Sequence, residues 1–126
     1  VLEALGEADA ILLAPSNPYL SLGPILAVPG IRLALEERRV RSIALSPLVG
    51  GRSVTGPLDR MLTRMAGGTT PAHVADRYAG VIDMLVVDES DGSAGAPVPL
   101  VAARTLMRAP DDARALAEKV LEVACA

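Results

Sequence analysis

Phenylalanine and tryptophan are absent from this 126-residue chain, and Tyr19 and Tyr78 are its only aromatic residues. Two isolated tyrosines cannot form the stacking platform on which single-stranded nucleic acids bind. The core must therefore be packed from Leu, Val, Ile, Ala and Met, the aliphatic mixture that suits helices laid on a buried parallel sheet. Cys125 is the sole cysteine, which excludes an internal disulfide and a thiolate metal cluster within one chain. Positive charge is short as well: twelve Lys and Arg face fifteen Asp and Glu, a net charge of −3 that gives no basic field for a polyanion. No apolar run approaches the roughly 20 residues that cross a bilayer. The first residues, with Glu3, Glu7 and Asp9, are unlike a signal peptide. The expectation is a cytoplasmic protein that binds neither nucleic acid nor membrane. A small phosphorylated ligand stays open, because a few backbone N–H groups at a helix start hold one without general positive charge.

With 51% hydrophobic and 21% charged residues the composition is that of a folded protein, and the length allows one domain over residues 1–126. Ala10 to Ala14, Ser42 to Leu45, Met84 to Val87 and Val98 to Ala102 are short apolar runs that read as buried parallel strands. Between them lie segments of helical period. Leu58, Met61, Leu62 and Met65 share one stripe. Thr70-Pro71 offers a cap and a first-turn proline for a helix that carries Val74, Ala75 and Tyr78 inward and ends near Gly80. Pro110-Asp111-Asp112 opens a last helix whose Ala113, Leu116, Ala117, Val120, Leu121 and Ala124 recur at helical spacing. Alternation of strand, loop and helix predicts an α/β fold with a mostly parallel sheet and helices on both faces. Pro99 cannot donate to a ladder, so its strand is expected at an edge. Glu89 to Pro97 reads as a flexible polar connection.

Backbone-bending residues are concentrated in two places. Pro15 to Gly30 and Pro47 to Pro57 hold eleven of the twenty-one prolines and glycines. Each follows a strand, and open parallel sheets bind ligands beyond the carboxyl ends of their strands. Simple strand termination explains the same composition equally well, and spacing alone does not decide between the two.

The segment from Ala14-Pro15-Ser16-Asn17-Pro18-Tyr19 through Ser21-Leu22-Gly23-Pro24 to Pro29-Gly30-Ile31-Arg32 resembles the central signature of the CofD family, 2-phospho-L-lactate transferases of coenzyme F(420) biosynthesis. A second match, Ser46-Pro47-Leu48-Val49-Gly50-Gly51-Arg52 leading to Gly56-Pro57, is similar to that family's second loop. The resemblance implies a Rossmann-like three-layer fold, of which this chain is the C-terminal portion. It also implies transfer of a phospholactyl or phosphoenolpyruvyl group from a guanosine diphosphate-linked donor to the deazaflavin Fo, with release of GMP. Magnesium and a homodimer belong to the same expectation. Family members carry a longer N-terminal half with acidic metal ligands that match nothing here. The opening Val1 to Asp9 reads as the end of a helix packed on something upstream, so the chain is expected to be a fragment, inactive alone.

Carried onto this sequence, the resemblance makes Pro15, Ser16, Asn17, Pro18, Ser21 and Gly23 of the first loop substrate-binding residues. Ser46, Pro47, Gly50, Gly51, Arg52, Gly56 and Pro57 are the candidates in the second. Ser16 and Asn17 supply short hydrogen-bonding groups, Ser21 can cap a helix or meet phosphate, and Gly23 lets backbone approach a ligand. Ser46, Gly50, Gly51 and Gly56 can form a rim of backbone donors. Arg52 stands where the family commonly has lysine. No residue is assigned a proton-transfer role, and no metal ligand is assigned. Arg32 is a secondary candidate, as readily a solvated helix arginine. Thr105-Leu106-Met107 resembles a further family element and reads as packing with a polar contact from Thr105. Tyr19 is read as turn packing rather than a stacking surface. Asp83, Asp88, Glu89 and Asp91 are read as solvating a turn, His73 as facing water, and Cys125 as a bystander. The alternative is a non-catalytic, nucleotide-sugar-binding regulatory protein of the related gluconeogenesis-factor family, whose loop usually reads Gly-Pro-Gly-Ser, or an inactive fragment.

Overall fold

The computed structural model describes residues 1–92 and 95–126. Ser93 and Ala94, in the middle of the connection read as flexible, lie outside the described residues. In chain order the elements begin with α1 (Leu2–Glu7), β1 (Ile11–Leu13), a π-helical turn (Pro18–Leu22), α2 (Gly23–Leu26) and α3 (Ile31–Glu36). They continue with β2 (Ser42–Leu45), β3 (Leu48–Val49), β4 (Arg52–Ser53), α4 (Leu58–Ala66), α5 (Pro71–Asp76), β5 (Met84–Asp88), β6 (Leu100–Ala103) and α6 (Pro110–Ala124). Four strands pair in parallel in the order β1-β2-β5-β6. This is an α/β sheet of Rossmann-like character with helices on both faces.

Period-two alternation divides the strand residues between two cores. Ile11, Leu13, Ala44, Leu85 and Val87 turn to one side, where Leu26, Leu35, Leu62, Val74 and Tyr78 cover them. Ile43, Leu45 and Val86 turn to the other, against Leu116, Val120 and Ala124 of α6. Each fully buried Leu, Ile or Val contributes about 1.5–3 kcal/mol of burial. The second face is covered less widely, and Leu12, on that side of β1, stays 46% exposed.

Several expectations shift in register. Met65 of one stripe, and Ala113, Ala117 and Leu121 of the other, are exposed, because Leu58 and Leu62, and Leu116, Val120 and Ala124, already fill the inward positions. α5 ends at Asp76, and a turn carries the chain to Gly80 at φ +80°. Pro99 stands just before β6, an edge strand of the sheet, where its carbonyl accepts from the Leu85 N–H at 3.1 Å. It thus extends the ladder by the one backbone group proline keeps. His73 does not face water alone: its Nδ1 accepts from the Thr70 N–H at 3.2 Å, and a side chain on Gly68 would run into its ring. The ring closes the start of α5.

Candidate ligand-binding cleft

The first loop is built on Asn17. Its Oδ1 accepts from the N–H groups of Tyr19 and Leu20 at 2.9 and 3.1 Å, satisfying two free donors at the start of the π-helical turn. Pro18 follows at the first position, where a missing N–H costs nothing, and is buried. The widened turn brings the Pro18 carbonyl to 2.8 Å from where a side chain on Gly23 would begin. Gly23 is therefore needed by the chain's own backbone, and it stands outside the cleft, against the expectation that it admits a ligand. Tyr19 packs beneath the Arg77 guanidinium, 4.4 Å from its ring centre, and Arg32 pairs with Glu36 on the surface of α3.

The second loop, expected to be irregular, contains a hairpin. Leu48 pairs with Ser53 and Val49 with Arg52, and Gly50 and Gly51 at φ +61° and +72° make the two-residue connection. Positive φ at both central residues is the type I′ turn that matches strand twist, which is why Gly-Gly stands there. The Gly51 N–H donates to Asp91 rather than to open space. Ser46 is buried, and its Oγ accepts from the Leu48 N–H at 3.3 Å. Ser53 and Asp59 cap α4 together: the Asp59 N–H donates to Ser53 Oγ at 2.8 Å, and Asp59 Oδ2 accepts from the Ser53 N–H at 3.3 Å. Hydrogen bonds from the Ser53 and Arg60 N–H groups hold the Asp59 carboxyl below its ordinary range.

Both loops leave the carboxyl ends of parallel neighbours, β1 and β2, and so emerge on the same side of the sheet. They enclose a cleft of about 450 Å³. Of the residues assigned from sequence, Pro15, Ser16, Asn17, Ser21, Ser46, Pro47, Gly56 and Pro57 line it. Pro18 and Gly23 are not among its lining residues, and Gly50 and Gly51 lie at the hairpin tip. Arg52 turns away into a separate depression with Arg60 and Arg64. Adjacent strand residues point to opposite sides, so Ser53 reaches the cleft and Arg52 does not. Sequence reasoning missed Leu20, Val49, Ser53, Val54, Thr55 and Leu58 as lining residues. The signal that would have found several of them is the Gly-Gly hairpin signature between two short extended pairs. Thr105, Leu106 and Met107, read mainly as packing, form a further wall beyond β6. None of the seventeen lining residues is charged, while six are Ser or Thr. Such a surface dehydrates readily and offers hydrogen bonds without an ionic partner.

Residues 1–123 match the family described as 2-phospho-L-lactate transferase CofD. The chain belongs to the CofD family. A phosphoenolpyruvate transferase of Streptomyces coelicolor is 48% identical over 95 residues, which is 75% of this chain and 30% of that protein. One from Streptomyces griseus is 42% identical over 98% of this chain and 41% of its own length. The 2-phospho-L-lactate transferase of Methanococcoides burtonii is 33% identical over the same shares. The chain thus spans less than half the length of these CofD relatives.

The magnesium expected for a CofD protein finds no fitting donor set here. Among the described residues no three His, Cys, Asp or Glu side chains gather. Asp83 is held by Arg38 at 2.6 Å and by the Ser42 N–H at 2.8 Å, and these partners outweigh burial to lower its carboxyl. Asp91 accepts from the Gly51 N–H through Oδ1 alone, its Oδ2 is buried without a partner, and burial raises its carboxyl. Asp88 does hold the turn after β5 through the Ser90 N–H, but it is buried rather than solvated, with both oxygens taken by Ser90 and Thr105. No helix is long and apolar enough to cross a membrane among the described residues.

Proposed function

We propose that the full-length protein is a transferase that moves a phosphoenolpyruvyl or phospholactyl group from a guanosine diphosphate-linked donor to a hydroxyl of Fo, releasing GMP, in coenzyme F(420) biosynthesis. The observation that carries this reading is the uncharged, hydroxyl-rich cleft at the carboxyl edge of the sheet. It suits a neutral, flat acceptor with a hydroxylated side chain, and it is a poor seat for a diphosphate. Apolar residues such as Leu20, Val54, Leu106 and Met107 would cover the heterocycle, while Ser16, Ser21, Ser46 and Thr105 offer polar contacts. Nothing lining the cleft titrates near neutral pH. Its contribution is placement of the acceptor hydroxyl and exclusion of water, which accelerate transfer by fixing geometry. The donor diphosphate and its magnesium would be held by residues outside these 126, and the working enzyme would be a homodimer. Higher identity to the two Streptomyces phosphoenolpyruvate transferases than to the M. burtonii protein favours phosphoenolpyruvyl as the group moved.

The test is a transfer assay on the full-length protein with Fo, magnesium and each of the two donors, with product identified by mass. Phosphoenolpyruvyl transfer faster than phospholactyl transfer is the expected result. Absence of product with both donors would sink the assignment.

A further inference from the structure

Asp88 is the one charged side chain buried among the described residues, 5% exposed at the carboxyl end of β5. A desolvated carboxylate is tolerated only where donors replace its water. Here four do. The N–H and Oγ of Ser90 donate to Oδ1, and the N–H and Oγ of Thr105 donate to Oδ2, both of the latter at 3.0 Å. The Ser90 half closes the turn after β5, where the Asp91 N–H also donates to the Asp88 carbonyl at 2.9 Å; the Thr105 half serves no such turn. What it does hold is a wall of the cleft, since Thr105 is both a partner of Asp88 and a lining residue.

The chemistry of the pair fixes more than position. An ionised carboxylate only accepts, so the hydroxyl hydrogen of Thr105 points to Asp88. What Thr105 Oγ1 keeps for a ligand is its lone pairs. A ligand that reaches the Thr105 hydroxyl from the cleft would therefore meet an acceptor only, whereas a free threonine would donate or accept as required.

We propose that Asp88 is a positioning residue that acts through Thr105, locking its hydroxyl as an acceptor and so selecting a ligand that brings a hydroxyl or N–H donor to that wall. The inference rests on the reading of the cleft as the acceptor seat. Ser90 and Asp91 extend the same segment to the hairpin: Ser90 Oγ lies 3.7 Å from where a Gly50 side chain would begin, and Asp91 accepts from the Gly51 N–H. One short stretch thus steadies two sides of the cleft.

The experiment compares wild type, Asp88→Asn, Thr105→Val, Thr105→Ser and the double variant Asp88→Asn/Thr105→Val in the full-length protein. KM for Fo and kcat are measured separately, with folding checked by thermal unfolding. Asp88→Asn and Thr105→Val are each expected to raise KM for Fo about tenfold, the worth of one good hydrogen bond, with kcat changed less than about threefold. Thr105→Ser, which keeps the hydroxyl, restores most of what Thr105→Val loses. The double variant is no worse than Thr105→Val alone, because both changes remove the same contact. A folded Asp88→Asn variant with wild-type KM, or additive losses in the double variant, would overturn the proposal. Should Asp88→Asn fail to fold, the Val and Ser pair at position 105 decides, and equal KM for those two overturns it. A wild-type protein that neither binds nor modifies Fo overturns the reading of the cleft itself, a result visible before any variant is made.

Discussion

Asn17 shows how one side chain serves two levels at once. It lines the cleft, as its place in the signature suggested, yet its carboxamide oxygen is spent on the Tyr19 and Leu20 N–H groups, and its Nδ2 lies 3.7 Å from the Met61 sulfur. Asn17→Ala is accordingly expected to lower stability by about 1 kcal/mol, the usual worth of such a cap. In the full-length protein it should reduce transfer as well; unchanged chemical denaturation of the variant would deny the capping role. Tyr78 makes the opposite case. It is wholly buried, its hydroxyl has no partner, and burial pushes its ionisation well above the ordinary tyrosine range. Tyr78→Phe should therefore be neutral or stabilise by about 1 kcal/mol, whereas Tyr78→Ala should cost about 3–5 kcal/mol through the cavity it leaves. Urea unfolding of both variants checks the pair. Periodicity foretold that Tyr78 points inward, but no pattern in the sequence says whether a buried hydroxyl will find an acceptor.

Among the elements, helices and parallel strands were the most legible, because hydrophobic period and turn residues report on local backbone directly. Ser42 to Leu45 was placed to the residue, and the strand read from Met84 gains only Asp88. The hairpin of β3 and β4 was passed over, since two residues on each side are too few to show alternation. The π-helical turn was equally hidden, because its widened backbone depends on contacts such as Pro18 with Gly23. The burial of Asp88 was missed because half of its donors come from Thr105, seventeen residues away. At the end of β5 burial pushes its carboxyl up, but hydrogen bonds from Ser90 and Thr105 prevail and bring it down to about 2. A folded value below the ordinary 3.8 gives stability that is fully present above about pH 5 and is lost as pH falls toward 2. The expected loss is about 2 kcal/mol, read from urea unfolding at pH 6 and pH 2.5. Asp88→Asn should remove that part of the pH dependence, and an identical acid profile in the variant would show that other carboxylates set it.

At the scale of the whole molecule, the sequence told more about where the two loops meet than about which of their residues face the cleft between them. Pro15 to Gly23 and Ser46 to Pro57 meet at one end of the sheet because β1 and β2 are parallel neighbours, a fact that strand order alone implies. Which residues face inward depended on capping and twist, and Pro18, Gly23, Gly50, Gly51 and Arg52 stand outside the lining. Asp83 and Asp88 are committed to partners within the fold, and Asp91 gives one oxygen to the Gly51 N–H while its Oδ2 is buried without a partner. The 126-residue chain alone, supplied with Fo, magnesium and a guanosine diphosphate-linked donor, is thus expected to yield no transfer product by chromatography, while the full-length protein does. Product made by the chain alone would place the diphosphate site within these residues. The absence of charge from the cleft lining has one more consequence. Attraction between ions weakens as salt is added, but hydrogen bonding between neutral groups is not screened, and dehydration of apolar surface is if anything strengthened by salts such as sulfate. Whatever affinity this wall supplies should persist at ionic strengths that strip a phosphate from an arginine.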